Sequence, residues 1–350
     1  MEKGLYLKNG YLNIQHVINN GCTYSFLVGG RGIGKTFGCL RYAIDNDIKF
    51  IYMRRTQTQV DLIQSQEFNP FNALRSVLGD NYNYMMRKIN KNITGVYEAA
   101  FNSEKQIEEP AGPAIGYIMA LSTVSNIRGF DASDVDMLIY DEFIGEKHER
   151  PIRMEATAFL NAIETISRNR ELGGRDPMKV ICLSNSNDLG CPLFIGLKLV
   201  TMYEKMDSKN IEFMKLPEMD AALYYFKRSP ISRQKAATSL YKLSAGTEFS
   251  QMSVQNEFAM EQRDMIRTMP IKELKPLVQI GELCIYRHKS QRWYYITEMI
   301  SGTPEAYKAD GMDLTRFQRD YYYLWLSYLN KNIYFESYTD KVLFEKYMTK

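Results

Sequence analysis

The chain has 350 residues, of which 45% are hydrophobic and 24% charged, and a formal net charge of +3; this is the balance of a globular protein with material for two domains, and its 13% of aromatics fits half-buried strands better than a disordered tail. Three scattered histidines and five cysteines with no CxxC pair argue against an imidazole metal centre and a disulfide framework. No apolar run approaches the roughly 18 residues of a membrane span, and the opening MEKGLYLKNG has no signal-peptide core, so a soluble protein acting inside a cell is expected.

In chain order, Tyr24–Val28 is an apolar run ending in Gly29-Gly30, and Thr36–Ile44 has helical spacing; strand, glycine loop and helix follow one another. Phe50–Met53, closed by Arg54-Arg55, predicts a second strand, and residues 57–80 read as mostly helical. From Asn81 to Ser122, short alternating stretches between turn-rich segments predict a β-meander beside the main sheet. Met137–Tyr140 predicts a buried strand ending in Asp141-Glu142, Glu155–Arg170 a helix, and Val180–Leu183 a further strand ending in Ser184-Asn185. Strands alternating with helices make the fold class α/β, a mostly parallel sheet flanked by helices. After Lys215-Leu216-Pro217 the strands are expected to stop. The organisation predicted is a P-loop domain over 1–230, a helical linker over 231–262 and a small α+β domain over 263–350. The last should hold an antiparallel hairpin within 277–300, turning near Lys289–Gln291, and an aromatic helix at Tyr321–Leu329.

Gly29-Gly30-Arg31-Gly32-Ile33-Gly34-Lys35-Thr36 matches GxxxxGK[ST]. In that pattern glycines let backbone N–H groups turn toward phosphates, and the following helix aims its positive end at the same anion. Lys35 is expected to reach the β- and γ-phosphates of ATP, and the Thr36 hydroxyl to ligate Mg2+. The bland alternative is a fortuitous glycine turn. At the tip of the strand Met137–Tyr140, Asp141 is expected to hold Mg2+ through water and Glu142 to polarise the attacking water, the part a hydrolase needs; alone, the pair could be a solvated strand end. Asn185 is a candidate γ-phosphate sensor or a simple strand cap. Arg168, in Arg168-Asn169-Arg170, is either a partner of the helix dipole or a finger reaching a neighbour's nucleotide. Arg31 competes for that task in cis, and Arg128 is a further cation near the nucleotide. Lys147 and Arg150 are candidates for the DNA backbone, although Glu146 and Glu149 beside them suit a solvated loop equally. Residues 263–350 carry no cluster of carboxylates of the kind a two-metal nuclease needs.

GGRGIGKT, with arginine third in the loop, followed by ALSTVSNIRGF, DMLIYDEF and CLSN, resembles the viral large terminases, and most of all the DNA-encapsidation ATPases of small podoviruses of the phi-twenty-nine type. FIYMRRT, SRNRE and GTEFSQMSVQNEF extend the resemblance over most of residues 20–260. It implies an ASCE-type ATPase domain and a C-terminal domain similar to an RNase H-like nuclease that has lost its metal carboxylates. It further implies a homomeric ring, of five subunits, on the portal of an empty procapsid, moving double-stranded DNA, with a structural packaging RNA bridging motor and shell. On this resemblance Arg168 becomes the trans finger, Arg128 a second trans candidate, and Arg287, Lys289, Arg292 and Trp293 contacts to RNA or capsid. Two departures stand out: Gly145 where a basic side chain would suit DNA contact, and Gln57 where a lysine would. Two other readings remain, a P-loop scaffold using ATP only as a switch and a terminase with an active nuclease.

Overall fold

A computed structural model of the chain describes residues 4–64, 69–103, 107–127, 129–145, 149, 152, 154–185, 188–227, 229–231, 234, 238–243 and 263–349. They fall into two compact units, residues 1–197 with 205–259 and residues 198–204 with 260–350.

The first unit is built on β1 (Tyr24–Gly29), β2 (Phe50–Arg54), β3 (Tyr84–Lys88), β4 (Ile93–Asn102), β5 (Ile107–Pro110), β6 (Gly116–Ala120), β7 (Met137–Asp141), β8 (Lys179–Ser184), β9 (Phe213–Leu216) and β10 (Ala221–Phe226). Their order is β3-β4-β6-β2-β7-β8-β1-β10-β9, with β5 on β4. The six strands from β6 to β10 in that order run parallel, and antiparallel strands close both edges. The expected α/β class with a mostly parallel sheet is what the chain adopts. Parallel strands covered on both faces need continuous apolar runs, and MLIYD, KVICLS and AALYYF supply them, buried at nearly every position.

Helices α1 (Ile14–Ile18), α2 (Lys35–Asp45), α3 (Gln57–Ile63), α4 (Pro70–Leu78) and α5 (Glu155–Ser167) accompany the sheet. One face of the sheet (Leu27, Phe50, Tyr52, Ile139, Ile181, Tyr224) packs with Cys39, Leu40 and Ala43 of α2 into a single core. Thr56 and Gln59 form a reciprocal capping box that starts α3 immediately after β2.

Three expectations change. The meander is not beside the main sheet but is its edge, because β6 pairs in parallel with β2 and β4 pairs with β6. Strands do not stop at Pro217: β10 follows four residues later and is the direct neighbour of the glycine-loop strand β1. The helix expected to reach Arg170 ends at Ser167, since Arg168 and Asn169 both adopt left-handed backbone, φ +45° and +56°.

The second unit has β11 (Leu274–Ile280), β12 (Leu283–His288), β13 (Tyr294–Thr297), β14 (Glu305–Tyr307) and β15 (Ile333–Phe335), in the order β14-β11-β12-β13-β15. β11, β12 and β13 form an antiparallel meander, with β14 and β15 parallel to the outer two. The expected hairpin is therefore β12–β13, and β11 adds a strand through a turn at Gly281, where φ is +54°. Helices Gly311–Asp320, Tyr322–Leu329 and Tyr338–Thr349 complete the unit. Of the expected linker, Ser239–Leu243 is helical; residues 244–262 lie outside the described residues. Among the described residues no helix is long and apolar enough to cross a membrane.

Candidate nucleotide site

The C-terminal ends of β1, β7 and β8 lie side by side. In an open parallel sheet this is where ligands bind. The loop leaving β1 turns through positive φ at Gly29, Gly30, Gly32 and Gly34. At Gly30 the requirement is also steric, because a Cβ there would lie 2.7 Å from Ile33 Cδ1 and 2.9 Å from Phe226 Cβ. Ile33 is fully buried and anchors the loop, while Arg31 at its crest is exposed.

Lys35 opens α2 and is buried. Its Nζ donates to Gly29 O, to Gly30 O at 3.2 Å and to Asn185 Oδ1 at 2.9 Å. The ammonium is thus folded into the phosphate loop, and Asn185 from the end of β8 meets it there. Thr36 Oγ1 donates to Asp141 Oδ2 at 3.0 Å. The sequence-derived residues Lys35, Thr36, Asp141, Glu142 and Asn185 therefore converge on one place, from three strand ends.

Asp141 is buried and saturated with donors. Oδ2 also accepts from the Tyr52 hydroxyl at 2.6 Å and lies 3.4 Å from Arg54 Nη1; Oδ1 accepts the Glu142 N–H at 3.0 Å. Burial, together with the Asp141 charge, pushes the Tyr52 phenol well above its ordinary pKa, so it remains a donor. Glu142 turns away from the strand with φ +54°, a left-handed conformation that costs a non-glycine residue of order 1–3 kcal/mol and clusters at functional sites. Its carboxylate is paired with Arg54 Nη2. Burial opposes the Arg54 charge, but Tyr52, Asp141 and Glu142 outweigh it and raise the guanidinium's pKa.

Tyr52 and Arg54 were missed as site residues. Their signal is the period of two in FIYMRR: alternate residues of β2 share a face, so Tyr52 and Arg54 reach the strand β7 beside them. Arg55 points the other way. It is bound bidentately by Glu155, at 2.9 and 3.0 Å, and pairs with Glu149. Tyr140 OH and Gln59 Nε2 complete this buried network by donating to Glu155 and Glu149. The glycine at 145, a departure from the expected basic residue, has its cause here: a Cβ at Gly145 would overlap the Arg55 guanidinium.

Arg168 is held by the segment that precedes β7. Its Nη2 donates to Phe130 O at 2.8 Å and it lies 3.6 Å from Asp131, with 42% of the side chain exposed. Arg170 is instead committed to structure, bound to Val135 O and Asp136. Arg128, Lys147 and Arg150 lie outside the described residues.

Beside the phosphate loop opens a cavity of about 780 Å³. Tyr11, Asn13, Gln15, Phe37 and Arg41 line it, together with Gly34. It combines ring faces with amide groups, the mixture that suits a planar heteroaromatic ligand. The N-terminal residues that form it were given no part by the sequence reading; they belong to no motif, and the bridge Tyr6–Leu12 that folds them over α2 is a long-range feature of the fold.

The family described as Podovirus DNA encapsidation protein (Gp16) matches residues 1–275. The DNA packaging protein of Bacillus phage phi29 is 27% identical over 256 residues, covering 72% of this chain and 67% of that one. That of Bacillus phage B103 is 26% identical over 240 residues, covering 67% and 64%. Among solved structures, a chain of the bacteriophage Phi-29 viral genome packaging motor assembly superposes with a TM-score of 0.65 at 21% identity, over 98% of each chain. The Phi-28 gp11 DNA packaging motor gives 0.64 at 21% identity, over 98% of this chain and 99% of that one. At that identity the structures establish a shared fold, and the match over residues 1–275 establishes the lineage: the chain belongs to the podovirus DNA encapsidation protein (Gp16) family of phage DNA-packaging motor ATPases.

Proposed function

We propose that the chain hydrolyses Mg-ATP at this site and couples the reaction to movement of double-stranded DNA into a preformed procapsid, in the cytoplasm of the infected host. The observation that carries the reading is the convergence of Lys35, Thr36, Asp141, Glu142 and Asn185 at the ends of three adjacent parallel strands. The donor set beside Thr36 is hard oxygen, which suits Mg2+, with Thr36 and Asp141 as the residues that hold it. When bound, the cation neutralises charge on the β- and γ-phosphates.

Each residue then has a part. Lys35 leaves the carbonyls of Gly29 and Gly30 for the phosphates, which frees Asn185 to meet the γ-phosphate. Glu142 orients the attacking water and takes up its proton, for which its carboxylate must part from Arg54. The base of ATP occupies the cavity lined by Tyr11, Gln15 and Phe37. Arg168 of a neighbouring subunit in a five-membered ring supplies the finger, with Arg31 and Arg128 as further cations near the phosphates. Lys147 and Arg150 contact DNA phosphates. The C-terminal unit is a vestigial RNase H-like module that docks on portal-bound packaging RNA through Arg287, Lys289 and Arg292, all exposed. Trp293 is half-buried against Leu274, Tyr286 and Tyr295 and supports that face rather than extending from it.

The test is phosphate release from ATP by the purified protein, with and without long double-stranded DNA, beside Glu142→Gln. Hydrolysis that rises with DNA and vanishes in the variant supports the reading. Tight ATP binding with negligible hydrolysis, also in the presence of DNA and empty procapsids, would instead make the chain a nucleotide-switched scaffold.

A further inference from the structure

Tyr52 is 2% exposed and its ring belongs to the core between the sheet and α2. Packing accounts for the ring but not for the hydroxyl, because phenylalanine would fill the same space. A buried hydroxyl costs free energy unless it is hydrogen-bonded, and this one donates to a single carboxylate oxygen, Asp141 Oδ2, at 2.6 Å. That same oxygen meets the Thr36 hydroxyl at 3.0 Å. The other oxygen, Oδ1, is held by the Glu142 N–H at 3.0 Å. Both ends of the carboxylate are therefore pinned, one by a side chain on the neighbouring strand and one by the backbone turn that follows.

Arg54 does not substitute for Tyr52. Its Nη1 is 3.4 Å from Asp141 Oδ2 and 3.4 Å from the Tyr52 oxygen, while its Nη2 is engaged with Glu142. Any step that separates Glu142 from Arg54 disturbs the guanidinium. Tyr52 meets the guanidinium only through the long 3.4 Å contact, and its ring stays fixed by the core.

We propose that Tyr52 is a positioning residue for the divalent cation: its hydroxyl holds the Asp141 carboxylate in the rotamer that works with Thr36. This rests on the reading of Thr36 and Asp141 as the cation-holding pair. Groups that orient metal-holding carboxylates from behind contribute about 10–100-fold to metal affinity.

The experiment uses the full chain carrying Tyr52→Phe, which keeps the ring. Mn2+ is titrated in the presence of a non-hydrolysable ATP analogue and free Mn2+ is read by electron paramagnetic resonance. Nucleotide affinity in EDTA and the melting temperature are measured alongside. The expected result is a 10–100-fold weaker Mn2+ affinity, with metal-free nucleotide binding unchanged. Mn2+ affinity equal to that of the parent would overturn the proposal, since a role in packing alone predicts that outcome. Should the variant melt early, the titration is made below both transitions and decides in the same way. Asp141→Asn separates the two levels of the argument: if it too binds Mn2+ like the parent, the cation reading of the site falls and takes this proposal with it.

Discussion

The guanidinium of Arg54, on β2, is paired with the carboxylate of Glu142 at the end of β7, and Glu142 is held there in a left-handed backbone conformation. The residue proposed to orient water is thus occupied by an internal cation, and turnover requires the pair to open. Glu142→Gln keeps the shape of the side chain and removes the base. General-base contributions run to about 10²–10⁴-fold, so hydrolysis should fall by that factor while ATP affinity is retained. Phosphate release and fluorescent-nucleotide binding, measured on one preparation, check both halves.

On the opposite face of β2, Arg55 and Glu155 are almost wholly buried, 3% and 1% exposed, and the pair is bidentate. Removing the cation leaves the Glu155 carboxylate uncompensated in the interior, which costs about 3–5 kcal/mol. Arg55→Ala should destabilise the protein by that amount in urea unfolding. Gly145→Ala should also destabilise, by about 1–3 kcal/mol, the usual range for forcing atoms into filled space. An alanine at 145 that left the unfolding midpoint unmoved would show that Arg55 can yield.

Arg168, 42% exposed, is held by Phe130 O and Asp131. If it acts on a neighbour, Arg168→Ala should lower hydrolysis by about 10³–10⁵-fold. Mixing it with Glu142→Gln should then restore part of the rate, because the intact site of one subunit would meet the intact finger of the other. A finger acting within its own subunit gives no recovery on mixing.

In the second unit, Asp340 accepts the N–H and the hydroxyl of Ser337 at 2.9 Å through one oxygen, while its other oxygen is buried and has no hydrogen-bond partner among the described residues. Burial raises its pKa from 3.8 to about 7; the Ser337 hydrogen bonds oppose the shift, and Glu298 and Glu336 add to it. The folded state therefore holds this proton more tightly than the unfolded chain does. Its stabilising contribution is complete below 3.8 and is lost as pH rises to about 7. Asp340→Asn should melt higher than the parent at pH 8, with the difference shrinking as pH falls toward 4, in a series of thermal melts.

The phosphate loop and the Asp141-Glu142 tip were legible because each is a contiguous run whose chemistry depends on neighbours in sequence. Arg168 could be singled out, but the true end of α5 could not, since two successive left-handed residues follow no composition rule. β10 was missed although AALYYF is strongly apolar. With only one 3-10 turn, Pro217–Met219, between it and β9, the run reads as a continuation of the preceding segment, and only the sheet order shows it beside β1. Tyr52, Arg54 and Arg55 were visible as residues but not as site or network members, because their partners lie some 87–100 positions away. The role of Gly145 is the same case: a missing side chain acquires a cause only when the atom that displaces it is known.

The position of β1 has a consequence for how the protein is made. The strand that carries the phosphate loop, residues 24–29, takes its two partners from residues 180–184 and 221–226. At synthesis rates of about 5–20 residues per second, the loop waits roughly 10–40 seconds after leaving the ribosome before both flanks exist. Until Phe226 arrives, the wall against which Gly30 packs is missing. A nascent chain stopped short of that residue should therefore be blind to nucleotide however complete its glycine motif, and ATP in the host cell should stabilise only chains whose sheet has already closed.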